Sequence, residues 1–128
     1  MTKRVVRTPL GPQAIGAYSQ AIVAGNLIFV SGQIPIDPAT GNLIEERDIR
    51  SQTRRALLNL QGILKGSGVS LGNVVRTTVF LKNMSDFTDF NNIYAEFFNA
   101  DPPARSTVEV ARLPKDVMIE IDCIAMAD

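Results

Sequence analysis

Two alternating runs near the end of the chain constrain its fold more than any other feature. From Ala104 to Ala111, the residues Ala104, Ser106, Val108 and Val110 alternate with Arg105, Thr107 and Glu109. From Val117 to Ala125, the residues Val117, Ile119, Ile121 and Cys123 alternate with Met118, Glu120 and Asp122. A period of two marks a strand with two unlike faces. Between the runs, Arg112-Leu113-Pro114-Lys115-Asp116 reads as a turn, because proline cannot donate to a ladder. The pattern therefore predicts an antiparallel hairpin. Such pairing needs Val108 and Val110 to share a core face with Ile119 and Ile121, since a one-residue slip would turn one apolar row outward. The same parity puts Arg105, Thr107 and Glu109 on the face that carries Glu120. An arginine and a carboxylate would then lie within reach of one small ligand.

The rest of the chain supplies the other layer. Lys3–Arg7 is a short strand candidate, and Thr8–Tyr18, with Pro9, Gly11, Pro12 and Gly16, is irregular. A loop of that length in a small protein often has a functional role. Ala21–Ala24 and Leu27–Ser31 flank Gly25-Asn26, a two-residue hairpin signal. Ser31-Gly32-Gln33 ends the second strand, and a glycine there allows close approach to the backbone. Asp37 to Gly41 is a turn. Glu45–Lys65 reads as a helix with Ala56, Leu57, Leu60, Ile63 and Leu64 on one stripe and Arg47, Arg50, Arg54 and Arg55 on a solvated face. Gly66-Ser67-Gly68 stops it. Asn73–Lys82 is a strand with Val75, Val79 and Leu81 on its core row. Ser85 is a candidate cap for a second helix over Asp86–Asn99, whose Phe87, Phe90, Tyr94 and Phe97 share a core stripe.

Two helices on one face of a mixed sheet give a two-layer α+β fold in a single domain spanning 1–128. The other face is expected to carry Arg105, Thr107 and Glu120 beside Arg76, Thr78 and Phe80. That is too polar for a core and suits a subunit interface containing a cleft.

Composition narrows the chemistry. Lysine plus arginine number 13, aspartate plus glutamate number 13, and histidine is absent. Histidine general bases, Ser-His-Asp triads and histidine-bound metals are thereby excluded. A balanced charge without a basic stripe disfavours nucleic-acid binding. The single cysteine, Cys123, cannot form an internal disulfide, and no apolar run approaches membrane-spanning length. A cytoplasmic protein without a membrane segment is expected.

Three segments carry a resemblance: IGAYSQA at Ile15–Ala21, FVSGQIPIDPATG at Phe29–Gly41, and PARSTVEVARLPKDVMIEID at Pro103–Asp122. Together they resemble the RidA (YjgF, L-PSP) family of imine deaminases, in order and across essentially the whole chain. The resemblance implies a chorismate-mutase-like fold and a homotrimer with three sites between subunits. It implies hydrolysis of short 2-imino acids, such as 2-iminopropanoate and 2-iminobutanoate, to 2-keto acids and ammonia, with no metal or organic cofactor. Arg105 would hold the substrate carboxylate and Glu120 would position or deprotonate the attacking water. Tyr18, Ser31, Gly32, Asn91 and Thr107 would shape the binding site. Thr107 stands where the family often has Cys or Ala, and Asp122 where it often has Glu. Two other readings accompany this one: a keto-acid-binding regulator or chaperone-like trimer, and an endoribonuclease or translation inhibitor.

Overall fold

Gly25-Asn26 reverses the chain as expected, with Gly25 in the left-handed region at φ 60°. In the computed structural model, which describes residues 2–128, β2 (Ala21–Ala24) and β3 (Leu27–Gln33) pair across this turn. The preceding strand β1 (Lys3–Val6) pairs antiparallel with β2. A small two-stranded ribbon, β4 (Ile36–Asp37) with β5 (Asn42–Leu43), brackets the Asp37–Gly41 turn. Then follow α1 (Ile49–Gly66), β6 (Val74–Leu81), α2 (Phe87–Phe97), β7 (Ala104–Glu109) and β8 (Ile119–Met126). The main sheet has the order β1-β2-β3-β8-β6-β7.

Helix α1 starts at Ile49, later than the expected Glu45, because the Asp48 carboxylate accepts from Ser51 N at 2.8 Å and caps it there. Its stripe of Ala56, Leu57, Leu60, Ile63 and Leu64 is wholly buried against Ile28, Val79, Ile119, Ile121 and Ala125 of the sheet. Each such leucine or isoleucine contributes about 1.5–3 kcal/mol relative to exposure. Gly62 permits close packing, since a Cβ there would strike the backbone of Leu10. Helix α2 also begins late, at Phe87, behind a 3-10 turn at Met84–Asp86. The arginines of α1 are half exposed but bridge the helices: Arg50 meets Asp89 at 3.0 Å and Arg54 meets Glu96 at 3.1 Å. Exposed pairs of this kind are worth about 0–1 kcal/mol.

The expected C-terminal hairpin does not form. β7 and β8 lie on opposite sides of β6: Val110 N donates to Leu81 O at 3.0 Å, and Lys82 N donates to Met118 O at 3.0 Å. β6 pairs parallel with β7 and antiparallel with β8. The order of elements explains this. A strand–helix–strand succession, β6–α2–β7, brings its strands together parallel through the helical crossover. The chain from Val110 to Met118, with a 3-10 turn at Pro114–Asp116, is a long connection and not a hairpin turn. β7 therefore becomes an edge strand, and its Val108 is 42% exposed where a core position was expected.

This pairing reverses a central expectation about faces. Arg105 lies beside Thr77, which lies beside Cys123. Val108 lies beside Phe80, which lies beside Glu120. Neighbouring partners share a face, so Arg105 and Thr107 belong to the helix-covered face and Glu120 to the open one. Arg76, Thr78 and Phe80 stand on the open face with Glu120, as expected. Val75 also departs from expectation. An irregularity between Val74 and Arg76 breaks the alternation there, leaving Val74 buried and Val75 41% exposed.

Candidate active site

A cleft of about 590 Å³ opens where the Thr8–Tyr18 segment meets the bulged end of β3. It gathers four of the expected site residues: Tyr18, Ser31, Gly32 and Glu120. The ladder between β3 and β8 is interrupted between Val30 and Gln33, which frees Ser31 and Gly32 from regular pairing. Ser31 is held all the same. Its Oγ donates to Ser19 O at 2.6 Å and its N donates to Gln20 O at 3.0 Å. With its proton committed, the Ser31 hydroxyl can still accept a bond from a ligand. Gly32 lets the Glu120 carboxylate rest against the backbone: a Cβ there would displace that side chain from its position. Burial, reinforced by the charge of Asp122, raises the Glu120 pKa above the usual glutamate value. Tyr18 is 54% exposed, and its hydroxyl accepts from Ile15 N at 3.3 Å.

Three amide side chains that the alternation did not single out build this cleft. Gln20, buried, donates through Nε2 to Thr8 O at 2.9 Å and Pro12 O at 2.7 Å, while its Oε1 accepts from Thr8 N at 2.7 Å. It thus pins the irregular segment that carries Tyr18. Asn59, wholly buried in α1, donates to Ile34 O at 3.1 Å and Ile36 O at 2.8 Å, fixing the apolar wall of the cleft. Gln52 accepts from Met118 N at 2.9 Å, which sets the entry into β8 just before Glu120. Gln52 and Asn59 recur at helical spacing with Ala56 and Ile63, so polar residues on the core stripe are the signal that could have found them. Gln20 falls within the matched segment Ile15–Ala21 but has no such periodicity.

The other three expected residues, Asn91, Arg105 and Thr107, gather elsewhere. Arg105 Nη1 donates to Asn91 Oδ1 at 2.9 Å. Its guanidinium carbon lies 4.7 Å from the centroid of Tyr94, 5.3 Å from Phe90 and 5.5 Å from Phe87. Among the described residues, Arg105 forms no ion pair. The buried Thr107 hydroxyl has no hydrogen-bond partner there either. Within one chain, then, the arginine and the carboxylate lie on opposite faces of the sheet. Among the described residues, no group of three His, Cys, Asp or Glu is arranged to hold a metal. No helix there is long and apolar enough to cross a membrane.

The sequence profile of the family described as Endoribonuclease L-PSP matches residues 8–127. A "RutC family protein" of Pyrococcus horikoshii is 54% identical over 123 residues, covering 96% of this chain and 97% of the relative. A protein of Escherichia coli named 2-iminobutanoate/2-iminopropanoate deaminase is 47% identical over 126 residues, with 96% and 97% covered. A crystal structure of a Thermotoga maritima protein superposes with a TM-score of 0.94 at 51% identity, covering 98% of each chain. The mixed sheet under two helices is the chorismate-mutase-like arrangement of these structural neighbours. Sequence and fold thus agree along nearly the full length, and the chain belongs to the RidA (YjgF, L-PSP) family.

Proposed function

We propose that this protein hydrolyses short 2-imino acids, 2-iminopropanoate and 2-iminobutanoate among them, to 2-keto acids and ammonia. It would do so in the cytoplasm as a homotrimer. The observation that carries the reading is Arg105: a half-buried guanidinium, oriented by Asn91 and three rings, with no carboxylate paired to it among the described residues. A planar fork of this kind matches a substrate carboxylate bidentately. The deaminase name borne by the Escherichia coli relative supports the same assignment.

Arg105 and Glu120 occupy opposite faces of one sheet, so a complete site needs two subunits. The guanidinium of one subunit would face the partner's Glu120, with Tyr18, Ser31, Gly32 and Thr107 lining the space between. Assembly is supported by the open sheet face, where Phe29 (43% exposed) lies beside Ile22 and Ile124. An apolar band of this kind is suited to an interface.

In the reaction, water attacks the imine carbon while Glu120 accepts one of its protons. Attack on the protonated imine leaves a neutral carbinolamine, and Glu120 returns its proton to the nitrogen. The C–N bond then breaks to release ammonia, as the carbinolamine hydroxyl gives its proton to Glu120 and the carbonyl forms. A raised Glu120 pKa favours both halves of this transfer, because the group can hold and release a proton closer to neutrality than a free glutamate. Ser31 Oγ is available to accept from the imine N–H.

The test couples an amino-acid oxidase or a pyridoxal-phosphate dehydratase to the purified protein and follows imine loss with and without it. Faster loss of carboxylate-bearing imines is expected, unaffected by chelator. Unchanged decay together with tight 2-keto acid binding would favour a ligand-binding regulator instead.

A further inference from the structure

Tyr94 is left over when the site is assembled, yet it closes a ring of contacts around Arg105. Thr77 is the β6 residue that lies directly beside Arg105 in the ladder. The Thr77 and Tyr94 hydroxyls are hydrogen-bonded at 2.7 Å in the buried layer between sheet and helix. Tyr94 in turn presents its ring to the Arg105 guanidinium, nearer than either Phe87 or Phe90. Backbone pairing, hydroxyl pair and cation–π contact form a closed circuit of three residues. We infer that Tyr94, anchored by Thr77, is a positioning residue that fixes the Arg105 fork to receive the substrate carboxylate.

Physical reasons favour this role over simple packing. An arginine side chain loses rotamer freedom when it grips a ligand, and a site that has already ordered it avoids that loss on binding. A ring face attracts a cation most when water is excluded, and Tyr94 is buried. Phe90 and Phe87 contribute ring area, but neither has a polar end with which to register itself against β6. Burial raises the Tyr94 pKa, so its phenol stays protonated and available to the hydroxyl pair. Asn91 fixes one edge of the guanidinium, Nη1, leaving its other donors for a carboxylate.

This inference rests on the proposed carboxylate clamp, and the experiment separates the two. Wild-type protein is first titrated with 2-oxobutanoate by calorimetry and assayed for imine hydrolysis; failure of both removes the clamp and the role of Tyr94 with it. With wild-type binding in hand, Tyr94→Leu should raise KM and the 2-oxobutanoate Kd about tenfold while kcat holds, because the Glu120 face is untouched. Tyr94→Phe keeps the ring but loses the Thr77 anchor, so it should recover only part of that loss. Equal Kd values in wild type and Tyr94→Leu would overturn the positioning role and leave the clamp standing. Should Tyr94→Leu not fold, Thr77→Val removes the anchor and leaves every ring in place. It should raise the 2-oxobutanoate Kd about two- to threefold with kcat held, and a Kd equal to wild type would overturn the anchored positioning role.

Discussion

The Arg105 guanidinium rests against three rings of α2, whereas the Glu120 carboxylate lies against bare backbone at Gly32. The first region is built from regular elements and aromatic packing, with Asn91 fixing the fork. The second is built from a bulge, an irregular segment and buried amides, with Gln20 in place of a ladder. One side is closely packed and cationic; the other is open and carries a carboxylate with a raised pKa. The difference suits a division of labour in which an oriented cation holds the substrate and an open cleft delivers water and exchanges protons. Under the proposed shared site neither half would work alone, and the sheet between them keeps them apart within a chain.

Removing the cation should have the largest effect. Arg105→Ala should lower kcat/KM by about 10²-fold or more, and Lys should restore little because it lacks the bidentate fork; steady-state kinetics with carboxylate-bearing imines would measure this. Next comes assembly. Phe29→Glu places a charge in the apolar band and should give monomers with activity near background, although Arg105 and Glu120 are intact. Sedimentation and an imine assay on the same sample test this, and a fully active monomer would refute the shared site.

On the carboxylate side, Glu120→Gln should reduce turnover more than 2-keto acid binding. It should also raise the Tm at neutral pH. The Glu120 pKa is higher folded than unfolded, so protonation favours the native state and ionisation costs stability as pH rises through the folded value. The Tm advantage of Glu120→Gln should therefore shrink as pH falls below the usual carboxylate range, as calorimetry across pH would report. The smallest effect is expected at the fork's edge: Asn91→Ala removes one bond to Arg105 and should raise KM about 2–10-fold.

Local features were legible in the sequence. Gly25-Asn26 marked its hairpin, the α1 stripe marked its buried face, and each strand of the main sheet was located. Strand neighbours were not. Alternation says which residues of one strand share a face, but not which strand lies beside it. The turn-like Arg112–Asp116 thus suggested a hairpin, although β6–α2–β7 held the competing signal for a parallel crossover. From that one error followed the misplaced face of Arg105. A local irregularity at Val74–Arg76 likewise defeated the parity at Val75. All the site residues but Asn91 lie in the three matched segments, and Asn91 came from the family resemblance alone; pattern had no means to separate Arg105 and Glu120 from a structural ion pair. The buried amides Gln20, Gln52 and Asn59 escaped because their work is to satisfy distant backbone groups.

A shared site makes one demand that a site within a single chain does not. Arg105→Ala and Glu120→Gln proteins, each inactive alone, are unfolded together, refolded as mixed trimers and assayed for imine hydrolysis. If each site takes Arg105 from one subunit and Glu120 from its neighbour, random assembly restores about a quarter of wild-type activity through intact pairs at heterologous interfaces. Mixed trimers that stay as inactive as their parents would contradict the account.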